Sequence, residues 1–323
     1  MNISRRNFIA ASGVAGAAAV LAGCGSSSSS SDSGSKTYKI GVVQLTEHSA
    51  LDASNDGFVT ALNESGLDVS IDQQNAQNDQ SACQTIASKF VGDGVDLIYA
   101  IATPAAQAAA AATTDIPIVG CAITDYAASG LVKDNDKPDT NVTGASDLTP
   151  VAEQLQMMQK VLPDVKKVGL LYCSAESNSD IQIASAKEEL DALGIAYEEY
   201  AVSSSNEIQS VVESAVGKVD ALYAPTDNTI AAGAAQVGQI CKENKLPFIT
   251  GEEGMCEAGG LFTLSINYTD LGKLAGEMAV KILKGESKPE EMAIEHLSTE
   301  DLVVVKNDEM ATAIGVDLSV LDA

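Results

Sequence analysis

Val95-Asp-Leu-Ile-Tyr-Ala-Ile-Ala-Thr-Pro104 and Val219-Asp-Ala-Leu-Tyr-Ala-Pro-Thr-Asp-Asn228 align without a gap, and the alignment sets Thr103 opposite Asp227. Each stretch begins as an apolar, β-favouring run between turn residues, reaches a polar tip and enters an Ala-rich segment suited to a helix. The likeness continues outward. Ile116-Pro-Ile-Val-Gly120 answers Pro247-Phe-Ile-Thr-Gly251, Gly41-Val-Val-Gln44 answers Gly169-Leu-Leu-Tyr172, and Leu62-Asn-Glu-Ser-Gly-Leu67 answers Leu190-Asp-Ala-Leu-Gly-Ile195. The chain reads as one α/β unit used twice.

A chain of 323 residues holds two lobes of ordinary size, each with its own core. With 19 Lys and Arg against 45 Asp and Glu, the net charge of −26 repels phosphate backbones, so nucleic acid is not an expected partner. The only arginines are Arg5 and Arg6. A ligand carboxylate therefore has no guanidinium fork to meet beyond the amino terminus and must rely on hydroxyls, amides, Lys or helix-end N–H groups.

Arg5 and Arg6 precede an apolar run from Phe8 to Leu21, then Leu21-Ala-Gly-Cys24, Gly25 and six serines. The run is short for a membrane span and reads as a secretion signal over 1–23. A Cys directly after small residues resembles the bacterial lipobox, which makes Cys24 the lipidated first residue of the mature chain and 24–36 a Ser-rich tether. An ordinary cleaved signal with an incidental Cys is the alternative. Ser4-Arg-Arg-Asn-Phe-Ile9 resembles a twin-arginine export signal. The remaining Cys83, Cys121, Cys173, Cys241 and Cys256 show no zinc-ligand spacing and read as buried thiols; no metal site is expected.

In open parallel sheets the ligand crevice lies beyond the carboxyl ends of the strands. Strand tips therefore supply the candidate ligand-binding residues. In the first unit these are Gln44, Thr46, Glu47 and His48 after the first strand, Thr103 and Pro104 after the third, Asp125 after the fourth, and Ser146 and Asp147 at the crossing between lobes. Helix capping by Ser49 or Thr46, with a solvated His48, and capping by Thr103 are the competing readings. Asp134-Asn-Asp-Lys-Pro-Asp139 lacks the later ligands and glycine of a calcium loop and reads as a solvated turn.

Thr149-Pro150-Val-Ala-Glu153 carries a cap, a Pro and an early acidic residue, so a helix follows the crossing at once. In the second unit the tips hold Tyr172, Ser174, Asn178, Asp227, Asn228, Glu252, Asn267 and Tyr268. Asp227 either caps the helix expected through Glu243 or faces a ligand. The pairing of Thr103 at a helix amino terminus with Asp227 opposite suits a zwitterion, with carboxylate on one wall and ammonium on the other.

This arrangement resembles the substrate-binding lipoproteins of bacterial ABC importers, nearest to the tryptophan/tyrosine type, from Lys39 to about Leu318. The stretches that carry the likeness are Gln44-Leu-Thr-Glu-His-Ser-Ala-Leu-Asp52, Ala102-Thr-Pro104, Leu170-Leu-Tyr172 with Asn178, Pro225-Thr-Asp-Asn228 and Ile266-Asn-Tyr268. The resemblance implies an α/β fold of two similar Rossmann-like lobes, periplasmic-binding-protein-like of type I, joined by hinge strands with the ligand cleft between them. The first lobe is expected over 37–147 with about 267–290, the second over 148–266 with about 296–323. The implied role is capture of a small molecule by a monomer anchored at the extracytoplasmic face of the cell membrane, and delivery to an ABC permease and its ATPase. An amino acid is favoured, with a lean to aromatic ones on which Tyr126, Tyr172 or Tyr268 would stack.

A sugar or nucleoside in the same role is one alternative. A two-lobed cysteine enzyme such as an amino-acid racemase, using Cys121 and Cys173, is another. No G-x-S-x-G, HExxH, P-loop or dinucleotide fingerprint supports an enzyme, and no motif points to a cofactor.

Overall fold

The protein's structure is a computed structural model that describes residues 36–322; the expected signal, Cys24 and nearly all of the tether lie outside the described residues. The first unit runs β1 (Tyr38–Gln44), α1 (Ser49–Glu64), β2 (Val69–Asn75), α2 (Gln80–Asp93), β3 (Leu97–Ile101), α3 (Thr103–Ala112), β4 (Ile118–Ile123) and β5 (Val142–Ser146). The second begins with α4 (Val151–Val161), β6 (Lys167–Cys173), α5 (Ser177–Leu193), β7 (Ala196–Val202), α6 (Ile208–Ala215) and β8 (Ala221–Ala224). It continues through α7 (Asn228–Ala232), α8 (Ala234–Asn244), β9 (Phe248–Thr250), α9 (Glu253–Ala258) and β10 (Phe262–Ser265). The chain ends with α10 (Tyr268–Leu283), β11 (Glu295–His296), β12 (Val303–Lys306) and α11 (Asp308–Ile314).

The strands form two six-stranded sheets, ordered β11-β5-β4-β3-β1-β2 and β12-β10-β9-β8-β6-β7. In each, the first strand of the unit lies between the second and third, so the strand order reverses beside it. That reversal opens a crevice past the carboxyl ends. Period-two alternation divides the second core between the faces of its sheet. Val168, Leu170 and Tyr172 of β6 pack into one cluster, while Leu171 and Cys173 pack into the other.

Three crossings join the lobes, at 147–150, 266–267 and 297–302. After the second, α10 returns to the first lobe, where Tyr268, Leu271, Ala275, Ala279 and Leu283 enter its core. Glycines let α10 and α1 approach backbone to backbone. A Cβ on Gly57 would strike the carbonyl of Thr269, and one on Gly272 the carbonyl of Ser54.

Local differences from the sequence reading have physical causes. Glu295 and His296 pair with Ala145 and Ser146 of the first sheet, so His296 belongs to the first lobe and the return to the second begins at about Val303, not 296. The helix expected from Asp227 through Glu243 breaks at Gly233, the residue between α7 and α8. A Cβ there would meet Ile208 at 2.5 Å. The expected cap by Thr149 is not made: Pro150 takes the N-cap position, and the Thr149 hydroxyl is buried without a partner.

Candidate ligand site between the lobes

A cavity lies between the two sets of strand ends. His48, Thr124, Asp147 and Tyr268 line it from the first lobe, and Asn178, Thr226, Asp227, Asn228 and Glu252 from the second, with Ala50, Leu51, Ala122 and Ala231 supplying apolar wall. Its volume is about 10 Å³. That is room for one water, so a larger ligand enters only when the lobes part.

Three carboxylates face this space, and each is held differently. Asp227 caps α7 by accepting from the Ile230 N–H at 2.8 Å, and its other oxygen accepts from the Cys173 N–H at 2.6 Å and the Ser179 hydroxyl at 2.7 Å. Glu252 caps α9, accepting from the N–H groups of Gly254 (2.6 Å) and Met255 (2.7 Å). Asp147 has one partner, the Tyr268 hydroxyl at 3.1 Å, on Oδ2. Its Oδ1 is the only buried carboxylate oxygen without a hydrogen bond among the described residues.

No Lys or Arg lines the cavity. Burial pushes Asp147 up to about 6, against the Tyr268 hydrogen bond, and pushes Glu252 up to about 7. Asp227 is also raised, by burial first and the neighbouring Glu176 second. Burial lowers His48, opposed by its hydrogen bond with Asn228. The site is acidic, enclosed and suited to a positively charged group.

The structure brings together His48, Asp147, Asn178, Asp227, Asn228, Glu252 and Tyr268 of the expected residues. Others turn elsewhere. Gln44 donates to the Thr46 carbonyl (2.8 Å) and to Asp52 (2.6 Å), beside a separate outer groove that also holds exposed Glu47. Thr46 is buried outside the cavity lining. Asp125 accepts from Ala128 N–H and Asn135, both at 3.0 Å, closing a turn. Ser146 donates to the Thr124 carbonyl (2.8 Å) and Ser174 to the Val202 carbonyl (3.2 Å). Asn267 caps α10. Pro104 lies in a side groove with Asn78, Glu176 and Thr229.

Thr103 neither caps α3 nor reaches the cavity. The N-cap is Ala102, whose φ of 84° is strained for a residue with a Cβ, and the Thr103 hydroxyl is buried without a partner. The opposition of Thr103 to Asp227 thus marks equivalent places in the fold and not two walls of one pocket. Of the tyrosines, Tyr126 is buried with its hydroxyl on the Ala145 carbonyl, and Tyr172 points outward to Glu199 at 2.7 Å. Only Tyr268 reaches the cavity. Thr124 and Thr226 were missed although each adjoins a residue chosen at its strand tip.

Two α/β lobes of the same strand order, joined by three crossings and enclosing a polar cavity, define a two-lobed solute-binding protein of the type I periplasmic-binding-protein-like fold. Residues 39–321 match the family described as ABC transporter substrate binding protein, and the chain belongs to it. Residues 2–22 match the twin-arginine translocation pathway signal sequence.

A tyrosine-binding protein of Clostridioides difficile is 44% identical over 256 residues, 78% of this chain and 74% of that one. The ABC domain from Streptococcus pneumonia in complex with L-Trp superposes with a TM-score of 0.85 at 39% identity, covering 89% of this chain and 98% of that one. The ligand-free, open structure of a substrate binding protein with adhesive properties from Clostridium difficile superposes with a TM-score of 0.66 at 44% identity, covering 87% and 95%.

Proposed function

We propose that this substrate-binding protein captures an amino acid, with a preference for aromatic ones, and holds its ammonium group on Asp147. The observation that carries the reading is the unpartnered Asp147 Oδ1, buried in a cavity with no cationic side chain. A buried, unpaired carboxylate oxygen is costly, and a ligand N–H donor removes that cost. Tyr268 orients the other oxygen and also lines the cavity, which puts a ring beside the ligand's proposed place.

Two relatives whose names carry tyrosine and L-Trp support the aromatic preference. The chain superposes better on the L-Trp complex than on the open structure, although the latter is nearer in sequence. Lobes of one fold that score so differently are set at different angles, which supports reading the present arrangement as closed. The export signal and the family agree with an extracytoplasmic place. Lipidation at Cys24, a monomeric state and delivery to an ABC permease with its ATPase complete the proposal.

The racemase alternative needs two reactive thiols facing a substrate. Cys121 and Cys173 do not line the cavity, and burial pushes Cys121 up to about 12 and raises Cys173. Such thiols stay protonated near neutral pH and supply little thiolate to take a proton.

The test is a thermal-shift screen of the mature protein against the twenty amino acids, sugars and nucleosides, after unfolding and refolding to strip carried ligand. Stabilisation by L-tyrosine, L-tryptophan or L-phenylalanine, reduced in Asp147→Asn at the same ligand concentration, is the expected result. Stabilisation by sugars or nucleosides alone keeps the transport role and discards the ammonium site.

A further inference from the structure

Closing two polar surfaces on each other succeeds only when donors meet acceptors, because a buried group left unpaired costs its full desolvation. Among the described residues, five side-chain hydrogen bonds cross the cleft. Two of them depend on one residue that does not line the cavity and makes no hydrogen bond to the opposite lobe.

Glu176 precedes α5 and is 2% exposed. Its Oε1 accepts from the Thr229 N–H (2.9 Å) and hydroxyl (2.7 Å). Its Oε2 accepts from the Asn228 N–H (3.1 Å), the Asn228 side-chain amide (2.6 Å) and the Asn178 amide (3.3 Å). A carboxylate only accepts hydrogen bonds. Asn228 must therefore turn its NH2 toward Glu176, and Thr229 must direct its hydroxyl proton there.

What these two residues then present to the first lobe is fixed. The Asn228 carbonyl oxygen lies 3.3 Å from His48 Nε2, and Thr229 Oγ1 accepts from the Asn78 amide at 3.0 Å. His48 donates from Nε2, and its Nδ1 is the nitrogen left without a partner. Asn78 is itself held in place: Gln77 and Asn78 both adopt left-handed φ, 54° and 61°, and the Asn78 N–H donates to the Leu45 carbonyl at 2.7 Å.

We propose that Glu176 is a positioning residue for lobe closure, setting the donor–acceptor polarity of Asn228 and Thr229 so that the second lobe offers acceptors to His48 and Asn78. The inference rests on the reading that the lobes close on a ligand. Its consequence for affinity is indirect: apparent affinity scales with the fraction of protein in the binding-competent form.

The test combines small-angle X-ray scattering with L-tyrosine binding for the mature wild type, Glu176→Gln, Asn78→Ala and the double variant. Glu176→Gln sets an NH2 donor among donors, so the radius of gyration is expected to rise toward the open value and the L-tyrosine Kd by roughly tenfold. Adding Asn78→Ala then costs less than it does alone, because the Thr229 to Asn78 bond is already compromised; a merely structural role for Glu176 gives independent, multiplying losses. Scattering and affinity of Glu176→Gln that match the wild type overturn the proposal. If wild type ignores L-tyrosine, the amino-acid reading fails, and ligand-free scattering of the same variants decides the closure role. If Glu176→Gln does not fold, Asn78→Ala, which leaves the Glu176 network intact, must still loosen the closed form.

Discussion

The Tyr268 hydroxyl donates to Asp147 across 3.1 Å, joining the start of the first crossing between the lobes to the residue just after the second. Asp147 follows β5 directly, while Tyr268 opens α10 after the second crossing. The bond ties the two segments together at the carboxylate proposed to receive the ligand's ammonium. Under that proposal, ligand contact and hinge geometry meet in one side chain.

Asp147→Asn keeps the shape and the Tyr268 partner but removes the charge. The expected loss of L-tyrosine affinity is about 2 kcal/mol or more, roughly thirtyfold in Kd by isothermal calorimetry. Without ligand the variant melts no lower than the wild type, since it relieves a buried carboxylate with an unpaired oxygen. An unchanged Kd would remove Asp147 from the site.

Stability and affinity respond to pH with opposite signs. Asp147 and Glu252 are raised from 3.8 and 4.5 to about 6 and about 7. Over that window the native state binds protons that the unfolded chain has released, so stability falls as pH rises. Their stabilisation is complete below about pH 4 and is lost through about pH 6 to 7. The ligand-free melting temperature should rise as pH is lowered from about 8 to 5.5, while L-tyrosine Kd increases as Asp147 protonates near 6. Tyr268→Phe removes a bond that favours the charged form and moves the binding midpoint to higher pH. Melting temperature and affinity that fall together on acidification would contradict this assignment.

Gly272→Ala forces a methyl group against the Ser54 carbonyl where α1 and α10 cross. Displacing packed backbone is expected to cost about 1–3 kcal/mol, read as a lowered melting temperature in calorimetry. The same substitution at Gly92, where nothing lies within 4 Å, serves as the control.

Gln44→Ala and Tyr172→Phe test the correction to the strand-tip reading. Both side chains bond away from the cavity, to Asp52 and Glu199. L-tyrosine Kd within about twofold of the wild type is expected, since the removed groups touch no cavity wall. A tenfold loss in either would mean that the ligand reaches beyond this cavity lining.

Much of the site was legible because it follows from topology. Repeated units place polar tips at equivalent strand ends, so His48, Asp227 and Asn228 could be chosen without knowing a single contact. Side-chain direction was not legible. Asp125 and Asp147 both follow strands of the first lobe, yet Asp125 closes a turn with Asn135 and Asp147 enters the cavity. Glu176 gave no signal, because its meaning lies in Asn228 and Thr229, more than fifty residues away in sequence.

The sequence by itself determined the duplicated α/β unit, the two-lobed fold, the resemblance to importer binding proteins and the acidic surface without arginine outside the signal. These follow from local propensity, periodicity and composition, which each segment carries alone. Only the tertiary structure decided that Asp147, and not Asp227, keeps a carboxylate oxygen free. That depends on which donors arrive from distant segments: the Cys173 N–H and the Ser179 hydroxyl meet Asp227, while Tyr268 meets only one oxygen of Asp147. Hydrogen-bond saturation is a property of the assembled fold, so no local pattern in the chain records it.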